Sequence, residues 1–151
     1  MKYLITIISL SLLFSCVQDS PNIKQIENLQ FFIDNKESTD VIEVEKGLQY
    51  SIIKNGNPDG AQPTLDQVIT AHFHGTLTNG DVFWTSLDTE PLSIELGGLI
   101  EGCQKLISLM REGDKWRVFI DPTMAYGEEG RPGIPSNSIL IFEIELLEIE
   151  S

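Results

Sequence analysis

The feature that most constrains the fold is a series of short β-forming runs separated by turn signals. The runs occupy residues 47–54, 67–78, 82–85, 91–96, 115–121 and 138–149. Turn signals at Asn55-Gly56, Pro58-Asp59-Gly60 and Asn79-Gly80 separate the early runs, and Asn79-Gly80 predicts a hairpin. The last run alternates its side chains between two faces, as a strand inside a sheet does. One face would carry Ile139, Ile141, Glu143 and Glu145, and the other Leu140, Phe142, Ile144 and Leu146.

One strong helical pattern interrupts the β runs. Apolar residues recur at helical spacing over residues 99–110, and Arg111-Glu112-Gly113 provides a stop. Trp116 begins the next β run, where burial in the core is expected. The sequence therefore predicts an α+β fold in which an antiparallel sheet wraps around one short α-helix.

Charge and composition exclude several classes of protein. The 151 residues contain 10 Lys and Arg against 23 Asp and Glu, so the formal net charge is -13. Such a chain lacks the basic surface that grips nucleic acid, and no nucleic-acid partner is expected. With 41% hydrophobic residues, the composition is that of an ordinary globular protein. A single domain of this size can bury a core without disulfides or a structural metal.

The first 15 residues have the pattern of a signal peptide. One charge, Lys2, precedes a nearly continuous apolar run of about 12 residues, which is too short to span a bilayer as a helix. The run ends in Leu13-Phe14-Ser15-Cys16, which resembles the bacterial lipobox, where cleavage precedes a lipidated cysteine. Cys16 would then anchor the protein to a membrane of the bacterial envelope, inner or outer. The alternatives are a secreted protein cut elsewhere and an uncleaved anchor.

Residues 16–45 are predicted to be a tether that contains a possible short helix. Its apolar residues share one helical face, and Pro21 and Asn22 are suited to start the helix. Three alternatives stay open: a helix that docks on its own domain, a dimerisation face in an otherwise monomeric protein, and a flexible tether. The apolar residues are Ile23, Ile26, Leu29, Phe32 and Ile33.

Side chains that commonly carry chemistry are few in this sequence. His72 and His74 point to one face of a β run, but no third ligand accompanies them, so no metal is predicted. The sequence lacks a Gly-x-Ser-x-Gly turn, a phosphate-binding glycine loop and a dinucleotide fingerprint. Glu128 and Glu129 have the pattern of a solvated acidic patch. No cofactor is implied.

Six motifs in order along the chain nevertheless resemble those of the FKBP-type peptidyl-prolyl isomerases. The resemblance covers about residues 46–150, and the predicted isomerase domain is 46–151. A Gly130-Arg131-Pro132-Gly133-Ile134-Pro135 loop follows the fifth motif. The motifs are Thr70-Ala71-His72-Phe73-His74-Gly75-Thr76-Leu77, Asn79-Gly80-Asp81-Val82-Phe83, Leu99-Ile100-Glu101-Gly102, Met110-Arg111-Glu112-Gly113-Asp114-Lys115, Ala125-Tyr126-Gly127 and Leu140-Ile141-Phe142-Glu143-Ile144-Glu145-Leu146-Leu147.

The resemblance implies an FKBP-like half-wrapped sheet with an apolar pocket between the sheet and the helix. Such a pocket would isomerise X-Pro bonds in proline-containing clients, here exported or envelope proteins. The Ile100 N–H and the Tyr126 hydroxyl would hydrogen-bond substrate carbonyls, and the loop 128–134 would overhang the pocket and set substrate preference. The implied catalytic residues are Phe73, Phe83, Ile100, Tyr126 and Phe142, and the implied pocket residues are Trp84, Leu92, Leu99, Cys103 and Ile134.

Four of these positions depart from the family pattern. Trp84 stands where the family commonly has aspartate, Phe73 where it has tyrosine, Cys103 where it has tryptophan, and Leu92 at a usual aromatic position. Either Trp84 fills the volume left by Cys103 or the pocket floor is deeper. Cys103 itself is predicted to be a small buried hydrophobe rather than a redox group. The departures keep open an alternative function, a non-catalytic FKBP-like peptide-binding or chaperone module.

Overall fold

The structure is a computed structural model that describes residues 21–150, with side chains from residue 23 onward. The predicted signal peptide 1–15 and the predicted lipidation site Cys16 lie outside these residues. Within residues 21–150, no helix is both long enough and apolar enough to cross a membrane.

The described chain forms an antiparallel sheet packed against one short helix, as the α+β prediction required. The helices are α1 (Pro21–Lys36) and α2 (Glu101–Ile107); the strands are β1 (Val41–Glu45), β2 (Leu48–Lys54), β3 (Val68–Thr76), β4 (Val82–Thr85), β5 (Leu92–Glu95), β6 (Lys115–Ile120) and β7 (Leu140–Ile149). In the sheet, the strands lie in the order β1-β2-β6-β7-β3-β4, and β5 also pairs with β3. Short 3-10 helices at Leu96–Gly98 and Pro122–Met124 connect the elements.

The core lies on the face of the sheet that α2 covers. Alternate residues of β3 and β7 point to this face and are buried, which follows from the two-residue period of a strand. Cys103, Leu106 and Ile107 of α2 are also buried against it. Trp116 joins this core as predicted and stacks on Tyr50, with ring centroids 4.1 Å apart.

The helix α2 is shorter than the pattern over residues 99–110 predicts. Ile100 caps its N-terminus in an extended conformation, with φ -61° and ψ 151°. At the other end, the N–H groups of Leu109 and Met110 donate to carbonyls three residues back, so the chain leaves the α-helix through tighter turns. These turns keep Met110 buried, which is why the apolar spacing continued beyond the helix.

The sheet begins earlier than the predicted boundary at residue 46. Strand β1 lies within the segment predicted to be a tether and pairs antiparallel with β2. It is an edge strand whose Ile42 and Val44 are exposed, so its apolar residues did not indicate a buried strand. Lys46 and Gly47, with Gly47 at φ +79°, form the turn into β2.

The helix α1 is present where the apolar spacing predicted a helix, and it docks on its own domain. Phe32 is buried, and the Asn28 side chain donates to the Asn137 carbonyl at 2.9 Å. The fully buried Gln49 amide donates to the Phe32 carbonyl at 2.9 Å. The contact therefore uses the edge of the predicted apolar face, because its other four members are exposed: Ile23, Ile26, Leu29 and Ile33.

Candidate active site

A pocket of about 530 Å³ lies between α2, the sheet and the loop that follows Tyr126. All ten residues proposed from the sequence for the site line it, whereas their roles in catalysis stay predictions. The structure adds three lining residues that were not among the ten: Gly98, Arg131 and Pro132. The lining is Phe73, Phe83, Trp84, Leu92, Gly98, Leu99, Ile100, Cys103, Tyr126, Arg131, Pro132, Ile134 and Phe142.

Three phenylalanine rings form one wall of the pocket. Phe83 and Phe142 meet edge to face with centroids 5.4 Å apart, and Phe73 and Phe142 do so at 6.3 Å. Gly75 pairs with Phe142 across the sheet, and a Cβ there would lie 2.5 Å from Phe83 Cζ and 2.8 Å from Phe142 Cε1. A glycine inside a strand thus makes room for the rings, a signal that was visible in the sequence.

Trp84 lies beside Phe73, with ring centroids 5.6 Å apart, and remains 40% exposed. A side chain this exposed does not fill a buried floor, so Trp84 extends the aromatic wall toward solvent. The floor position Cys103 on α2 is 2% exposed. Burial raises the pKa of the Cys103 thiol to about 12, which keeps it protonated and supports its prediction as a buried hydrophobe.

A buried serine holds the backbone of Phe73 in place. Ser86 Oγ accepts a hydrogen bond from the Phe73 N–H at 3.0 Å, and the Ser86 N–H donates to the Phe73 carbonyl at 2.9 Å. His72 Nδ1 also lies 3.1 Å from Ser86 Oγ, and His74 Nδ1 lies 3.1 Å from Thr85 Oγ1. Both histidines thus contact hydroxyl groups of the neighbouring strand region, and residues 21–150 contain no cluster of three metal-ligating side chains.

Besides Arg131, two groups of the lining are available as hydrogen-bond donors. Ile100 is the N-cap of α2, and none of the hydrogen bonds within the described residues uses its N–H. N–H groups at a helix start lack intrahelical partners and are free to bind a ligand. Tyr126 Oη accepts a hydrogen bond from Arg131 Nη1 at 2.8 Å, which leaves its own proton free for donation.

The geometry therefore combines an aromatic wall, a buried floor at Cys103 and hydrogen-bond donors at Ile100, Tyr126 and Arg131, with no carboxylate or imidazole in the lining. The family model for FKBP-type peptidyl-prolyl cis-trans isomerases matches residues 60–147, more than half of the chain. The chain belongs to the FKBP-type peptidyl-prolyl cis-trans isomerase family.

Curated FKBP-type relatives are similar over most of this chain. It is 38% identical over 122 residues to the FKBP-type peptidyl-prolyl cis-trans isomerase FkpA of Aeromonas hydrophila, covering 80% of this chain and 45% of that protein. It is 35% identical over 122 residues to the peptidyl-prolyl cis-trans isomerase Mip of Coxiella burnetii, covering 80% and 52%. The chain thus spans about half the length of the curated relatives it matches.

Solved FKBP-type structures share the fold. A peptidyl-prolyl cis-trans isomerase from Pseudomonas syringae pv. tomato superposes with a TM-score of 0.81 at 27% identity, covering 89% of this chain and 99% of that chain. FkpA from Escherichia coli superposes with a TM-score of 0.79 at 31% identity, covering 85% and 60%.

Proposed function

We propose that this protein is a peptidyl-prolyl cis-trans isomerase that accelerates X-Pro isomerisation during the folding of exported or envelope proteins. The observation that carries the proposal is the pocket itself. Apart from Arg131 at its edge, the lining is mostly aromatic and aliphatic, and the Ile100 N–H and the Tyr126 hydroxyl are free to donate to a substrate.

Isomerisation requires no bond to form or break, so such a pocket suffices. Rotation about X-Pro interrupts amide resonance, and the barrier is about 18–20 kcal/mol. The twisted amide has a less polar carbonyl than the planar ground state, so an environment without water favours the twisted form. Only this difference in stabilisation accelerates the reaction, and each 1.36 kcal/mol gained is worth about tenfold in rate.

The named residues have distinct parts in this mechanism. Phe73, Phe83 and Phe142 enclose the prolyl ring and exclude water. Ile100 and Tyr126 hold the substrate carbonyls on either side of the rotating bond, which selects a peptide conformation close to the twisted state. These roles are positional, and none requires proton transfer.

A second candidate is a peptide-binding module of the same fold with little turnover. The observation that favours it is the altered pocket, with a small Cys103 side chain in the floor and an exposed Trp84 in the wall. A wider pocket that binds planar and twisted prolyl amides equally well would not accelerate their exchange.

The cellular place that we propose is the bacterial envelope, with an acylated Cys16 as the anchor. The apolar leader and the Leu13-Phe14-Ser15-Cys16 motif support this placement. The mass of the mature N-terminus tests it, because a free amine at a residue other than Cys16 would contradict the lipid anchor.

Exchange spectroscopy by NMR on a short X-Pro-Phe peptide separates the two candidate functions. The full chain, purified in mild detergent, is added at catalytic concentration and compared with Phe142→Ala and Tyr126→Phe. Phe31→Ala is the matched control, because Phe31 is a partly buried ring that packs against Phe32 and Phe119 outside the pocket.

An isomerase accelerates cis-trans exchange, and Phe142→Ala abolishes the acceleration while Phe31→Ala retains it. Peptide binding without acceleration in the wild-type protein would instead establish the binding module. Thermal melting of each variant shows that the compared proteins are folded.

A further inference from the structure

Arg131 supplies the one formal charge in the pocket lining of the described chain. The protein as a whole is acidic, with a net charge of -13. Within residues 21–150, four cations pair with carboxylates: Lys36, Lys54, Lys105 and Arg117. By contrast, no carboxylate within residues 21–150 forms an ion pair with Arg131. An unpaired cation at the edge of an apolar pocket is available to a ligand.

A tight turn fixes the backbone that carries this charge. The Arg131 N–H donates to the Ile134 carbonyl at 2.9 Å, and the Ile134 N–H donates back to Arg131 at 2.8 Å. Pro132 and Gly133 occupy the turn, and Gly133 has the φ of +85° that a type II turn requires at that position. Arg131 therefore projects from a restrained loop rather than from a flexible one.

The guanidinium is held on Tyr126 by two contacts. Nη1 donates to Tyr126 Oη at 2.8 Å, and Cζ lies 4.9 Å from the centre of the tyrosine ring. A guanidinium has five N–H donors, and within the described residues its side chain makes only this one hydrogen bond. The remaining donors form a planar fork that matches a carboxylate.

We propose that Arg131 is a specificity-determining residue that selects peptides with a carboxylate side chain on a residue flanking the proline. The inference rests on the proposed function, because it places a substrate carbonyl on the Tyr126 hydroxyl. Since Arg131 Nη1 is 2.8 Å from that hydroxyl oxygen, a Glu side chain beside the bound carbonyl reaches the free guanidinium donors. The net negative charge of the protein repels such peptides, and the Arg131 guanidinium offsets this repulsion at the pocket.

The test compares isosteric peptides that differ only in charge. The full chain in mild detergent is assayed with Ala-Glu-Pro-Phe against Ala-Gln-Pro-Phe, and with Ala-Leu-Pro-Glu against Ala-Leu-Pro-Gln. In at least one pair, wild type is expected to prefer Glu by about 2- to 5-fold in kcat/KM, the range of an exposed ion pair. Arg131→Gln is expected to bring this ratio to one or below.

Arg117→Gln is the matched control, because it removes the same charge from an exposed sheet position outside the pocket lining. It is expected to keep the Glu preference. Arg131→Lys retains the charge without the planar fork, so it is expected to keep part of the preference. Raising the salt concentration is expected to reduce the wild-type ratio.

Four results would overturn the proposal. Equal kcat/KM for Glu and Gln in both pairs would exclude selection by charge. If Arg131→Gln lowers kcat/KM equally for the Glu and the Gln peptide, Arg131 only positions Tyr126. If Arg117→Gln loses the Glu preference to the same extent as Arg131→Gln, the preference comes from the charge of the whole protein and not from Arg131. If no peptide is accelerated, the isomerase function fails, and equal calorimetric affinities for Glu and Gln peptides would then reject the selection separately.

Discussion

Replacing Gly102 by alanine tests how closely α2 packs on the sheet beneath the pocket. Gly102 is buried in α2, and a Cβ at this position would collide with the Ile120 side chain. It would meet Cγ2 far inside van der Waals contact, with Cγ1 and Cδ1 both at 3.1 Å. Ile120 is fully buried and pairs with Leu48 on one side and Leu140 on the other, so β6 is restrained by both neighbours. The helix must therefore move.

Two opposing effects set the magnitude. Alanine is preferred over glycine inside a helix by about 0.5–1 kcal/mol, which would stabilise the variant. Inserting a methyl group into a filled core costs about 1–3 kcal/mol. The second effect is larger, so Gly102→Ala is expected to lower the free energy of unfolding by about 1–2 kcal/mol and the Tm by about 3–8 °C.

Urea and thermal unfolding measure this change, and Gly98→Ala is the matched control for stability. A Cβ at Gly98 would make only ordinary contacts of 3.7 Å with Ile94, so its expected change is within about 0.5 kcal/mol. A rise in the urea midpoint of Gly102→Ala would refute the reasoning, because it would mean that helix propensity outweighs the collision. Isomerase turnover should fall with the displacement, since Ile100 precedes Gly102 by two residues.

Further predictions concern the buried thiol and one ion pair. In a chain carrying Cys16→Ser, Cys103 should react with alkylating agents at pH 8 roughly a thousandfold more slowly than a free cysteine. The reason is that burial raises the thiol pKa from 9.0 to about 12, and each pKa unit reduces the thiolate fraction about tenfold. Unfolding in urea should restore fast labelling. Rapid labelling of the folded protein would contradict the buried position. The hydrogen bond from Arg117 lowers the pKa of Glu143, so its stabilisation is present at neutral pH and lost as pH falls through the folded-state pKa. Glu143→Gln should therefore lower the free energy of unfolding by about 0.2–1 kcal/mol at pH 7, since the pair is partly exposed. At a pH well below 4.5, urea unfolding should show no difference from wild type. An equal loss of stability at both pH values would assign the effect to packing rather than to the ion pair.

Much of the sheet could be predicted from the sequence, because strand period and turn chemistry are local properties. Side chains along β7 alternate between a buried apolar face and a more exposed face that carries Glu143 and Glu145. Asn79-Gly80 forms the hairpin between β3 and β4, with Gly80 at φ +90°. Strand β1 was missed because it is an edge strand, and the burial that marks inner strands is absent from it. The motif order likewise indicated ten residues that the structure brings to one pocket.

The contribution of Arg131 to the pocket depended on the tertiary structure. Its side chain is exposed, and nothing in the local sequence shows that its guanidinium lies on the Tyr126 ring. That contact follows from the path of the Arg131–Ile134 turn relative to the rest of the loop. The exposed position of Trp84 was decided in the same way, because packing against Phe73 depends on which strands are neighbours.

The sequence by itself determined the strands, the apolar pattern of the helix and the order of the motifs, since these depend on residues close together in the chain. The tertiary structure decided where α2 ends, which edge of α1 docks, and which charge faces the pocket. Those features depend on contacts between residues far apart in sequence, such as Asn28 with Asn137 and Gly102 with Ile120. Local propensity carries no information about such pairs, because only the folded chain brings them together.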